Sequence, residues 1–139
     1  MSEREDILKS NREFYEALGK RDLDAMKRVW LTGDKAGCVH PGWAIMRRWE
    51  TIMQSWESIF NPEDQVHIKL SDISLEISGD MAWLTCIQEM FYIKREPQTF
   101  NISQSTNIFK KQGGKWGMLI HHASPIIVTG YKPEAANLQ

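Results

Sequence analysis

Val66-His67-Ile68-Lys69-Leu70-Ser71-Asp72-Ile73-Ser74-Leu75-Glu76-Ile77 is where this chain changes its period. Apolar residues alternate at 66, 68 and 70 and again at 73, 75 and 77. The slip of phase at Ser71-Asp72 predicts a β-bulge inside one long strand. Working outward, Gly79-Asp80 turns the chain into a second strand from Met81 to Ile93. Arg95-Glu96-Pro97-Gln98 turns it into a third from Thr99 to Lys111, and Gln112-Gly113-Gly114-Lys115 into a last one from Trp116 to Ser124. The glycines at 113 and 114 lie between strands rather than before a helix, so they read as a hairpin turn and not a phosphate loop.

Upstream of Asn61-Pro62 the period is helical. Ser2, followed by acids at 3, 5 and 6, marks a helix start, because carboxylates favour the positive end of the helix dipole. Ile7, Leu8, Phe14, Tyr15 and Leu18 share one face, and Gly19 is the expected terminator. Asp22 caps a shorter helix that buries Leu23, Met26, Val29 and Trp30. Ala36 to His40 reads as a short strand ended by Pro41-Gly42. A third helix is expected from about Arg47 to Phe60, with Trp49, Ile52, Met53, Trp56, Ile59 and Phe60 as its stripe. Helices first and an antiparallel meander afterwards predict an α+β fold with the helices on one face of a curved sheet.

The 139 residues are expected to form a single domain over 1–139, with its core at about 5–127 and a frayed tail after about residue 133. Seventeen basic and 18 acidic residues are interspersed, which argues against a nucleic-acid partner. No apolar run of membrane-spanning length and no signal peptide is seen, so a cytoplasmic protein without membrane partners is expected. The two cysteines, Cys38 and Cys86, sit in apolar runs and read as buried free thiols. His40, His121 and His122 do not make a metal site, since adjacent strand residues such as His121 and His122 face opposite ways. No metal and no cofactor are expected.

Several pieces, in this order and spacing, resemble the nuclear-transport-factor-2-like (NTF2-like) superfamily, particularly its SnoaL-like branch related to ketosteroid isomerase. They are Phe14-Tyr15-Glu16-Ala17-Leu18, Arg21-Asp22-Leu23-Asp24-Ala25-Met26, Cys38-Val39-His40-Pro41-Gly42-Trp43, Ser55-Trp56-Glu57-Ser58-Ile59-Phe60, Thr106-Asn107-Ile108-Phe109 and the closing strand to Ser124-Pro125. The resemblance implies a cone-shaped NTF2-like, cystatin-like roll whose helices and concave sheet enclose a pocket. It also implies a homodimer through the outer sheet face. In ketosteroid isomerase an aspartate base precedes a proline at the end of the first strand, and His40-Pro41 stands at that position. The isomerase's first-helix tyrosine corresponds to Phe14, and its oxyanion-donating aspartic acid falls near Asn107. The chain from Thr106 to Ser124 also resembles the calcium/calmodulin-dependent kinase association domain, whose charged pocket positions match the uncharged Gln88 and Asn107.

Two functions from different classes follow. One is a cofactor-independent isomerase, cyclase or dehydratase acting on a small carbonyl compound, with His40 as general base and Asn107 as oxyanion donor. The other is a non-catalytic ligand-binding or association module. In either case the expected ligand-binding side chains are Phe14, Trp43, Trp56, Gln88, Ser103, Ser105 and His121. Strand parity turns Asn101, Ser103, Ser105 and Asn107 inward, together with Leu119, His121 and Ala123. It leaves Phe100, Ile102, Ile108, Trp116 and Ile120 as an outward apolar row for the dimer partner.

Overall fold

In a computed structural model, which describes residues 2–127, the capping signals at the N-terminus act as their chemistry demands. Ser2 accepts from the Glu5 amide, and the Glu5 carboxylate reaches back to the Ser2 amide. This capping box opens α1 over Glu3–Lys20. Gly19 does not end the helix. The left-handed C-cap is Arg21, at φ 55°. Asp22 then caps α2, Leu23–Val29, by accepting from the Ala25 amide at 3.0 Å.

β1 (Gly37–Val39) follows, then a two-residue strand the sequence does not announce, β2 (Met46–Arg47), and α3 (Trp49–Ile59). After the loop at Asn61–Gln65 come β3 (Val66–Ser78), β4 (Met81–Tyr92), β5 (Thr99–Gln112) and β6 (Lys115–Pro125). They form one six-stranded sheet ordered β2-β1-β6-β5-β4-β3. The meander is antiparallel, while β1 runs parallel to β6, with Cys38 opposite His121. The helices therefore cross over so that α1 and α3 lie on the curved sheet, and Phe14, Met26, Ile52, Trp56, Leu84, Phe109 and Met118 fuse into one core.

The register of β3 on β4 shifts between Ser71 and Ser74, where the phase slip was expected. A second irregularity lies between β5 and β6: Ile108 pairs with Ile120 but Phe109 pairs with Met118, so Leu119 is an extra residue. That bulge corrects the parity of everything before it. Trp116, expected on the outer face, turns inward and is buried in the core. Ile102 is also nearly buried within the single chain, so it adds little to an outer patch. Phe100 and Ile108 keep the outward parity expected of them, and the row runs on from Ile108 to Trp83 and Ile120, its direct partners on β4 and β6.

Candidate functional site

Between α1, α3 and the sheet lies a cavity of about 210 Å³. Leu18 and Arg21 close it from the end of α1, and His40, Pro41 and Trp43 from the segment after β1. Trp56 of α3 supplies an aromatic wall, and Gln88, Met90, Tyr92, Asn101, Ser103 and His121 come from the sheet. A wider groove of about 410 Å³ runs between α1 and α2, but its walls are mostly surface charges and none of the histidines reaches it.

The two cavity histidines are held in opposite ways. Ser55 donates its hydroxyl proton to the Ile52 carbonyl at 2.7 Å, so its oxygen is left to accept from His40 Nε2 at 2.9 Å. His40 is thereby the Nε2–H tautomer, and among the described residues its Nδ1 lone pair meets only the Cys38 thiol, at 3.9 Å. His121 is the reverse. Its Nδ1 lies 2.6 Å from Asn107 Oδ1, which can only accept, so Nδ1 carries the proton and the Nε2 lone pair is left without a hydrogen bond among the described residues. Burial disfavours the charged form of both rings. It pushes His40 down to about 4 and His121 to about 3, the latter helped by repulsion from His40 and His122.

Asn107 is the centre of a network behind the cavity wall, not a group on its surface. Its Nδ2 donates to Asn11 Oδ1 at 2.9 Å and to the Tyr15 hydroxyl at 3.2 Å. Both amide hydrogens are therefore spent, and none remains for an oxyanion, contrary to the role expected of it. The Tyr15 hydroxyl donates to Gln88 Oε1 at 3.0 Å, and Ser105 donates to the same oxygen at 2.6 Å. Burial raises the Tyr15 phenol far above its usual range, keeping it a donor.

Of the residues expected at the site, the fold brings His40, Trp43, Trp56, Gln88, Ser103 and His121 to the cavity. Ser105 and Asn107 stand one layer behind them, and Phe14 is a fully buried buttress 4.7 Å from the His121 ring and 5.8 Å from Trp56. Trp56 in turn lies 4.4 Å from His40 and 6.2 Å from His121, so the two imidazoles face one indole. Cys86 approaches the Tyr15 hydroxyl at 3.6 Å, and burial raises its thiol, which makes it a poor nucleophile. Among the described residues no group of three or more histidine, cysteine or acidic side chains could hold a metal ion.

Arg21 was not singled out from the sequence. Its side chain is 3% exposed, and Nε, Nη1 and Nη2 all lack a hydrogen-bond partner among the described residues. The guanidinium packs 5.3 Å from the ring centres of both Phe60 and Tyr92. Asp64 is its nearest counter-charge, at 3.8 Å, but both Asp64 oxygens accept from Arg95, at 3.3 and 3.0 Å. Unmet buried donors cost roughly 1–3 kcal/mol each, more when charged, so a guanidinium left this way calls for an explanation. Among the described residues the indole N–H groups of Trp49, Trp56 and Trp116 are also buried without a partner, and of these only Trp56 lines the cavity.

Comparison with known proteins agrees with the architecture. The F-box protein SKIP8 of Arabidopsis thaliana is 31% identical over 122 residues, covering 88% of this chain and 50% of that protein. The chain thus spans about half the length of the curated relative it matches. A protein from Streptomyces avermitilis, described as a candidate dehydratase of the NTF2-like family, superposes with a TM-score of 0.82 at 27% identity over 89% of this chain and 96% of its own. A candidate calcium/calmodulin-dependent protein kinase type II association domain from Thiobacillus denitrificans superposes at 0.72 with 25% identity, covering 85% and 93% of the two chains. Residues 7–128 match the SnoaL-like domain, and the chain belongs to that family.

Proposed function

We propose that this SnoaL-like domain is a small-molecule pocket protein that carries out proton transfer on a small carbonyl compound. The observation that carries the reading is the pair of buried, neutral histidines fixed as opposite tautomers on one cavity. His121 is the better placed base of the two, a change from the expectation centred on His40. Its Nδ1–H is anchored on Asn107, and the Nε2 lone pair is the end left to take a proton. In this reading the proton leaves the carbon next to the substrate carbonyl and passes to Nε2, while its electron pair moves onto the carbonyl oxygen as an enolate. An imidazole with so low a pKa is a weak base in the empty cavity. An enolate formed in contact with it stabilises the imidazolium and restores its basicity. The Trp56 indole N–H, buried and without a hydrogen-bond partner among the described residues, is assigned as donor to the developing oxyanion, a role that requires the ring to turn its N–H toward the substrate. Isomerisation, cyclisation and dehydration of a carbonyl compound can all begin with that transfer, and the Streptomyces avermitilis neighbour is described as a candidate dehydratase.

The experiment is deuterium exchange in D2O, followed by proton NMR, over a panel of small ketones and 3-hydroxyketones that fit about 210 Å³. Protein-dependent exchange that His121→Gln abolishes is the expected outcome. No exchange over the whole panel would instead favour the second reading, a non-catalytic ligand-binding or association module. That reading has its own support in the likeness to an association domain and in the outer row Trp83, Ile108 and Ile120, through which a homodimer would form.

A further inference from the structure

We propose that Arg21 is the anchor for a carboxylate, and that the ligand of the cavity is a small monocarboxylic acid. The proposal rests on reading the cavity as a ligand site and adds the chemical class of what fills it. A guanidinium presents planar paired donors that match the two oxygens of a carboxylate. Here all three of its nitrogens are buried and unpartnered among the described residues, on a residue that lines the cavity.

The charges nearby set the ligand's charge. Asp64 is engaged through both oxygens by Arg95, whose side chain is 45% exposed, and Arg21 stands beyond hydrogen-bonding distance at 3.8 Å. Arg21, Asp64 and Arg95 together carry one net positive charge, and Arg21 is the buried cation of the three. A monoanion neutralises it, whereas a phosphate dianion would bring a surplus charge into an aromatic pocket. The walls of Trp56, Met90 and Tyr92 suit an apolar body behind the carboxylate.

Arg21 is also the left-handed C-cap of α1, at φ 55°, a conformation that favours glycine. Backbone strain and unmet buried donors thus fall on one residue, as they do where a fold holds a group ready for a ligand.

The test titrates benzoate and its neutral analogue benzamide into the wild-type chain, Arg21→Gln and Arg21→Lys. Calorimetry gives the affinities, and the His121 ring-proton NMR signal reports on the cavity. Benzoate is expected to bind wild type at least tenfold more tightly than benzamide. Arg21→Gln should lose that preference while keeping its affinity for benzamide, and Arg21→Lys should retain part of it. Equal binding of both probes to wild type, with the His121 signal moving for each, would overturn the carboxylate anchor and leave the cavity reading standing. A His121 signal that neither probe moves would overturn both. Preference for benzoate undiminished in a folded Arg21→Gln would place the anion elsewhere and reject Arg21.

Discussion

Lowering the pH from 7.5 to 5 should strip stability from this fold through two residues. His40 and His121 are neutral in the native state, with pKa values of about 4 and about 3, against an unfolded value near 6.5. Above pH 6.5 neither state binds the proton, and the two rings contribute nothing to pH dependence. Below it the unfolded chain takes up a proton at each ring while the native chain does not, so unfolding becomes more favourable as pH falls. The loss is about 1.4 kcal/mol per pH unit per ring, which is about 2 kcal/mol each at pH 5 and about 4 kcal/mol together. It levels off only below the native pKa values. Urea unfolding at half-unit steps from pH 7.5 to 5 measures this directly. Because most carboxylates titrate lower, the window isolates the histidines. A fall of less than about 1 kcal/mol would refute the claim that both rings are buried and neutral. In His121→Gln the slope should be about halved.

Asn107→Ala removes an acceptor from His121 and donors from Asn11 and Tyr15. It should cost about 2–4 kcal/mol in a denaturant melt, far more than an exposed asparagine would. Ser55→Ala leaves His40 Nε2–H without its acceptor, for an expected loss of about 1–3 kcal/mol in the same assay. Ile108→Asp places a charge in the middle of the outer row and should convert any dimer to monomer, read by sedimentation, with the melting temperature of the single chain little changed.

The architecture was legible because its two halves speak different periods. The helical spacing before Asn61 and the alternation after Val66 place α1, α3 and the four long strands with errors of a residue or two. Even the Ser71 irregularity was visible, since a polar pair interrupts the alternation there. The Leu119 bulge was not, because Met118, Leu119 and Ile120 form an unbroken apolar run in which no parity can be read. That hidden residue is what misplaced Trp116.

For the site, His40 and His121 were found because both fall in strand-like runs of the sequence, although β1 stops at Val39, one residue short of His40. Their roles were not, because Ser55 and Asn107 come from other elements. Arg21 was invisible for a related reason. In Lys20-Arg21-Asp22 it reads as one more turn charge, and only Phe60, Asp64 and Tyr92, from distant segments, bury it. Tyr15 reached the network because α1 is buried over a wide arc that includes both Phe14 and Tyr15.

The central claim is a cavity holding two neutral histidines locked as opposite tautomers, and nitrogen-resolved NMR of the imidazoles tests it most directly. At pH 6 the account predicts four distinct ring nitrogens for the pair: a protonated Nε2 and a bare Nδ1 for His40, a protonated Nδ1 and a bare Nε2 for His121. Two rings of the same tautomer, or either ring doubly protonated at that pH, would contradict it.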